Sequence, residues 1–373
     1  MSQQKDRWFE IENIGEIDTP CLVVYPERVK SNIRTLVSMT DDVQRLRPHV
    51  KTNKSVEAGR LMMAAGIRKF KCATISEAEM LGIAGAPDVV LAYQPIGPKV
   101  ARLVQVIKRY PDTRYACLTD NLKAAEQMAK QFAENDLEVE VYIDLNLGMN
   151  RTGIEPGPAA FKLYLAVFGL RGLNLRGLHA YDGHIRDANL EKRTQQCDAA
   201  FESVTELKEL IVGHGLPVPV IIAGGTPTFP IHIKRQTIEC SPGTFVYWDG
   251  VYRELCPEQE FLHAAVLLTR VISLPDATKI CIDLGHKSVA SESELSKRVR
   301  FLNALELEPV SQNEEHLVLE AEEGHPYAVG DILYGVPWHI CPTVALYERV
   351  LTIENGTMRA EWKNIARDRK IEC

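Results

Sequence analysis

The chain has 373 residues, enough for two domains, and a chain of this length buries roughly three quarters of its unfolded surface. Its 45% hydrophobic and 25% charged residues are ordinary globular proportions. A net charge of -7 argues against nucleic acid or an anionic membrane as partner, since both demand a basic surface, but leaves room for a small anion held locally.

The opening, Met1 to Arg7, is polar and lacks the apolar core of a signal peptide, and no apolar run approaches the length of a membrane span. The nine cysteines are scattered without a C-x-x-C pair, as in a reducing compartment. A soluble cytoplasmic protein is expected. After a polar lead-in over 1–19, Thr19 to Tyr25 is a β-rich run, and a helix is predicted from about Glu27 to Met39. Strands are then predicted at 46–51, 69–73, 88–92, 114–118, 139–145, 173–180, 219–223 and 236–240. Helices are predicted between them at 55–65, 76–83, 98–109, 121–135, 157–167 and 189–213, with only a short turn in the last gap. Ser76 with Glu79, and Asp120 before a long amphipathic run, mark two helix starts. Strand–helix alternation predicts a parallel sheet, and eight strands in about 200 residues suit a TIM (β/α)8 barrel.

After Glu260 helical periodicity largely disappears. Short β-like runs at 261–274, 279–283, 316–320, 332–335 and 344–353 are broken by Gly, Pro and charged turns. The expectation is α/β: a barrel over 20–260, then a β-rich domain over 261–373 completed by 1–19, joined by the N-terminal strand.

Ligands of such barrels sit at the carboxyl ends of the strands. There the strand predicted at 46–51 ends at Lys51, within Arg47-Pro48-His49-Val50-Lys51-Thr52-Asn53-Lys54. A desolvated lysine at this edge can lose its proton and form a Schiff base with an aldehyde, although most lysines near strand ends are solvated. The octet resembles the lysine motif of fold-type III (alanine-racemase-like) pyridoxal-phosphate enzymes. Within them it is most similar to the D-serine dehydratase and D-threonine aldolase group, whose pattern is Arg-Pro-His-x-Lys-Thr-His-Lys. The resemblance runs from about Thr19 to the C-terminus; Asn53 departs from the usual histidine. It implies that Lys51 carries the cofactor.

The other candidates follow later strands. Gly224-Gly225-Thr226 and, after the next strand, Gly243-Thr244 are turns whose backbone amides can approach a phosphate, and both resemble the group's phosphate segments. Ser241 and Phe245 stand where the group usually has Arg and Tyr. Asp144 to Gly153 resembles the Asp…Gly-Met-x-Arg-x-Gly stretch, which implies that Arg151 lies beside the cofactor's phenolic oxygen. Register with the group places Tyr181 against the pyridine face; a tyrosine at a barrel rim is otherwise commonly structural. His179 and His184 have no assigned role. Downstream, His339 and Cys341 two apart would point the same way on an extended segment, and imidazole with thiolate suits zinc. The group has a His-x-Cys or His-x-Asp metal pair here, so the resemblance implies a metal ion, Zn2+ or alternatively Mn2+ or Mg2+. Two further segments resemble the group: Glu314 to His316, with a supporting place beside the ion, and Asp283 to Lys287, with no assigned role.

The resemblance implies a lyase for D-3-hydroxy amino acids. Cys341 favours D-serine dehydratase-like elimination to a keto acid and ammonia over D-threonine aldolase-like cleavage to glycine and an aldehyde. It also implies a homodimer. A non-catalytic pyridoxal-phosphate carrier is the alternative of another class; such carriers are single barrels, without residues like those after Glu260.

Overall fold

The computed structural model describes residues 7–373; the polar opening at 1–6 lies outside the described residues. Two compact units emerge. An α/β unit holds Arg34–Lys51, Val56–Gly243 and Asp368–Cys373. A β-rich unit holds residues 7–33, Thr52–Ser55 and Thr244–Arg367. The first strand, β1 (Cys21–Val24), belongs to the β-rich unit and leads into helix α1 (Pro26–Ser38).

In the α/β unit, strands and helices alternate: α2 (Val56–Ala64), β2 (Lys69–Cys72), α3 (Ile75–Ala84), β3 (Asp88–Leu91), α4 (Pro98–Arg109), β4 (Arg114–Thr119) and α5 (Leu122–Glu134). Then follow β5 (Val139–Asn146), α6 (Pro158–Phe168), β6 (Leu173–Tyr181), α7 (Leu190–Gly213), β7 (Val220–Ala223), α8 (Phe229–His232) and β8 (Ile238–Cys240). The strands lie side by side in chain order, all parallel, as βαβ crossovers require. Residues 46–49 close this seven-stranded sheet into a barrel. Leu46 bridges Cys240 on one side and His49 bridges Lys71 on the other.

The predicted strand over 46–51 therefore exists only as bridges. Pro48 has no N–H to give to a ladder, although its carbonyl accepts from Lys71 N–H at 2.9 Å. The chain then turns into a 3-10 helix over Val50–Thr52, so Lys51 sits in a turn just past the closing segment.

Two helix starts differ from expectation by one or two residues. Thr74, not Ser76, caps α3: its hydroxyl accepts from Glu77 N–H at 3.0 Å, and Glu77 Oε2 accepts from Ala73 N–H at 2.6 Å. Thr74-x-x-Glu77 is a competing capping box, and it leaves Ser76 and Glu79 buried in the helix. Asn121, not Asp120, caps α5, because Asp120 is engaged by Gly153 N–H at 2.9 Å.

A polar layer lies inside the barrel. Arg47, 1% exposed, donates to Glu239 at 2.7 Å and to Asp88; Lys69 and Arg114 complete the pairs. Burial alone would weaken the charge on Arg47, but Glu239 and Asp88 outweigh it and raise its pKa.

The β-rich unit continues with β9 (Ala265–Ser273), β10 (Lys279–Ile282), β11 (Val299–Phe301), β12 (Glu308–Gln312), β13 (Leu317–Glu320), β14 (Ile332–Pro337), β15 (Arg349–Glu354) and β16 (Thr357–Lys363). Its sheet runs β12-β13-β10-β9-β1-β15-β16, with β14 pairing β9 and β11. β1 lies antiparallel to β9 and parallel to β15, and its Val23 enters a core with Phe9, Val266, Leu268 and Ile353. β12 and β16 are largely exposed strands without apolar alternation, which is why periodicity does not reveal them. Short helices α9 (Gly250–Leu255) and α10 (Ile340–Leu346) also belong here. The strand predicted over 344–353 starts only at Arg349, because Pro342 sits where the first turn of a helix tolerates it. Among the described residues no helix is long and apolar enough to cross a membrane.

Candidate active site

Three predicted residues of the α/β unit converge. Lys51, Arg151 and Tyr181 line one cavity of about 320 Å³, together with His49, Lys71 and His179. Its residues follow or end the closing segment, β2, β3, β5 and β6, the carboxyl edge where ligands of such barrels bind.

Each is positioned locally. The Lys51 N–H lies 3.3 Å from His49 Nδ1, which helps turn the chain out of the closing segment. Arg151 lies on a loop that folds back on β5. Asn146 Oδ1 accepts from Gly148 and Asn150 at 3.1 and 3.0 Å, and Asn146 N–H donates to Ile154 O at 2.9 Å. The Arg151 guanidinium ends 5.6 Å from the Tyr181 ring centroid.

His179 Nδ1 and Asp144 Oδ1 are 2.6 Å apart, and both groups are buried. Burial favours neutral imidazole, and the charge of Lys71 lowers the His179 pKa further. Burial works against the Asp144 carboxylate, but the His179 hydrogen bond and charge hold its pKa below the usual carboxylate value. His179 Nε2 is buried with no hydrogen-bond partner among the described residues.

Sequence reasoning missed Asp144 as a partner, left His179 unassigned and did not notice Lys71. The alternation Lys69-Phe70-Lys71-Cys72 held a signal. The apolar residues of β2 face one way, so both lysines share the other face, which in a closed barrel is the interior.

The glycine turns sit beside Tyr181 in a hydrogen-bonded frame. A Cβ at Gly225 would lie 3.1 Å from the Tyr181 ring, and Gly224 adopts φ +78°, so both positions favour glycine. Gly225 N–H donates to Thr228 Oγ1 at 3.2 Å, and Gly243 N–H to Thr226 Oγ1 at 3.3 Å. These two amides are thus occupied internally, while the Thr226 hydroxyl links the turns. Thr228 in turn donates to Asp182 at 2.7 Å, and Asp182 meets His232 Nε2 at 2.8 Å. Cys197 Sγ lies 3.2 Å from the same nitrogen, so Asp182, Cys197 and His232 have the spacing of a metal cluster. These separations are also those of hydrogen bonds. Burial and the Asp182 charge push the Cys197 thiol up to about 12, so the protonated thiol can serve these hydrogen bonds. We read this cluster as the support of the Gly225 turn.

The other predicted residues lie in the β-rich unit. Thr244 opens a 3-10 turn, its carbonyl accepting from Trp248 N–H at 2.7 Å. His339 is the N-cap of α10 and Cys341 is in its first turn; they do not share the extended segment expected. The His339 Nδ1 meets the Glu292 carboxylate, and Cys341 Sγ lies 3.2 Å from Thr52 Oγ1. Asp283 is structural, accepting from Thr19, Thr269 and Arg270 N–H at 2.6, 2.5 and 2.8 Å. A Cβ at Gly285 would meet Glu314 O at 1.9 Å, so the 283–287 and 314–316 segments pair through a close backbone approach.

The family model "Alanine racemase, N-terminal domain" matches residues 24–250, and "Putative serine dehydratase domain" matches residues 264–353. The chain is 26% identical over 361 residues to D-threonine aldolase of Arthrobacter sp, covering 95% of this chain and 94% of that protein. The crystal structure of D-threonine aldolase from Filomicrobium marinum matches with a TM-score of 0.86 at 26% identity, over 94% of this chain and 95% of that one. D-threo-3-hydroxyaspartate dehydratase from Delftia sp. HT23 matches with a TM-score of 0.76 at 25% identity, over 94% and 98% of the two chains. With the first model spanning more than half of its length, this chain belongs to the alanine racemase N-terminal domain family.

Proposed function

We propose that this chain is a pyridoxal-phosphate- and metal-dependent lyase for D-3-hydroxy amino acids that eliminates the β-hydroxyl to give a keto acid and ammonia. The observation that carries this reading is the convergence of Lys51, Arg151 and Tyr181 from distant stretches on one small cavity.

The residues fit the cofactor. Lys51 offers an amine for its aldehyde, Arg151 a cation for its phenolic oxygen, and Tyr181 a ring for its pyridine face. Gly224, Gly225, Thr226, Gly243 and Thr244 would frame the phosphate, with the Thr226 hydroxyl and backbone amides other than those of Gly225 and Gly243 as donors. The buried, unpartnered His179 Nε2 marks a polar position that protein alone leaves unmatched. When bound, pyridoxal phosphate supplies an electron sink for charge developed at Cα. Lys51, whose side chain lines the cavity, would take the α-proton. Arg151 would keep its partner oxygen ionised.

The donor set of His339 and Cys341 also fits a metal. A ligating imidazole commonly gives its other nitrogen to a carboxylate, and His339 Nδ1 already holds Glu292. A zinc, manganese or magnesium ion there would supply Lewis acidity for the leaving hydroxyl. Elimination is preferred because a thiolate ligand resembles the zinc-dependent dehydratases. Aldol cleavage to glycine and an aldehyde is the second reading, favoured by the similarity to D-threonine aldolases over nearly the whole chain. A homodimer and a cytoplasmic location complete the proposal; sedimentation of the loaded protein tests the dimer.

The decisive experiment offers D-serine, D-threonine and D-threo-3-hydroxyaspartate to the purified protein with pyridoxal phosphate and zinc, manganese or magnesium. Keto acid identifies elimination and glycine identifies aldol cleavage. Cofactor binding without turnover of any of the three leaves a carrier instead. Lys51→Ala is expected to lose the visible band of the bound cofactor; a band that persists means that the aldehyde is held by another amine.

A further inference from the structure

Lys71 has no part in the chemistry above. Its side chain is 4% exposed and lines the same cavity as Lys51 and Arg151. Among the described residues its amine has neither a hydrogen bond nor an ion pair; it lies 5.1 Å from the Tyr181 ring centroid. An ammonium buried without an acceptor is costly, so such a group is either neutral while the site is empty or matched by an incoming anion.

The charges facing it are mixed. Lys51 from the 3-10 turn and Arg47 from the closing segment oppose a proton on Lys71, while Asp144 on β5 and Asp182 beyond β6 favour one. Those carboxylates are already engaged, Asp144 by His179 and Asp182 by His232 and Thr228. The remaining titratable neighbours in the cavity are His49, Tyr93, Tyr181 and Arg151. Burial first, and then the charge of Lys51, push the Lys71 pKa down to about 7. Arg151 and Lys71 both approach the Tyr181 ring, so the cavity offers a second cationic position besides the one assigned to the phenolic oxygen.

We propose that Lys71 is an anion-binding residue of this cavity, receiving an anionic oxygen, carboxylate or phenolate, from the cofactor or from the amino-acid substrate. The proposal rests on the cavity being the cofactor site. An anion arriving beside Lys71 favours its charged form, so binding is coupled to proton uptake at mildly alkaline pH.

Calorimetry of the full chain in two buffers of different ionisation heat counts those protons. One arm titrates pyridoxal phosphate alone. The other adds D-alanine, which has no β-hydroxyl, to the loaded protein. At about pH 8 the wild type is expected to take up on the order of half a proton to one proton more than Lys71→Met in one arm, with roughly tenfold tighter binding in that arm. The arm that shows it tells whether the oxygen belongs to the cofactor or to the amino acid. Equal proton counts and affinities in both arms overturn the proposal.

Lys71→Gln runs in parallel in case the Met variant folds poorly. Should the wild type bind no pyridoxal phosphate, the functional reading falls by itself. Malonate is then the probe for Lys71: it must stabilise the ligand-free wild type more than either variant, and equal stabilisation overturns the assignment.

Discussion

His179 and Asp144 stand in register on the adjacent strands β6 and β5, with Nδ1 and Oδ1 2.6 Å apart. The carboxylate accepts the Nδ1 proton, which leaves Nε2 as the unprotonated nitrogen of a neutral ring. Asp144→Asn removes a charge-assisted bond and is expected to cost about 1.5–3 kcal/mol of stability at neutral pH. The pH dependence has a definite sign. Asp144 has a lowered folded pKa, so its contribution is complete above the ordinary carboxylate value of about 4 and is lost as pH falls through the folded pKa. Urea midpoints of wild type and variant should therefore converge below about pH 4. A gap that stays constant down to acid unfolding would contradict the pairing.

Arg47 is the next test, because it opens the lysine octet yet sits at the bottom of a buried network. Arg47→Met would leave Asp88 and Glu239 facing each other with only Lys69 and Arg114 to offset them. The expected cost is about 3–5 kcal/mol, since removing one partner strands buried charge. Denaturant unfolding measures it. A loss below about 1 kcal/mol would show that the two carboxylates find other partners or protons.

Thr228 ties the Gly225 turn to Asp182, accepting from the turn and donating to the carboxylate. Burial opposes the Asp182 charge, but His232 and Thr228 hold its pKa below the usual value, so it is an ionised acceptor at neutral pH. Thr228→Val keeps the shape and deletes both bonds. It is expected to lower stability by about 1–3 kcal/mol and to weaken pyridoxal-phosphate binding severalfold. Absorbance titration with the cofactor reads the second effect; unchanged affinity would mean that the turn keeps its form without this support.

Much of the fold is legible in the chain because each signal is local. Strand–helix alternation points to the parallel barrel, and Lys51, Arg151 and Tyr181 sit where their strands end. The closing segment reads too long because the apolar and basic run through Lys51 hides what Pro48 does to a ladder. Lys71 is invisible for a different reason. Lys69-Phe70-Lys71 looks like a strand with one solvated face, and only closure of the barrel turns that face inward. His339 and Cys341 read as an extended pair because spacing alone does not distinguish a strand from the first turn that Pro342 opens.

Glu292 provides the last test, and it lies outside every motif legible in the sequence. Its carboxylate holds His339 Nδ1, and both side chains are substantially exposed, so the pair itself adds little to stability. Its effect should appear in metal binding instead, since a carboxylate behind a ligating imidazole fixes the ring and its tautomer. Glu292→Gln is expected to weaken zinc affinity by about 10–100-fold, read by competition with a chromophoric chelator, while the thermal midpoint barely moves. His339→Ala and Cys341→Ala should weaken it more. Chelation of the wild type should stop turnover and leave the β-rich unit folded; unfolding on chelation would make the ion structural. If Glu292→Gln and His339→Ala both bind zinc like the wild type, the metal is not held at the start of α10.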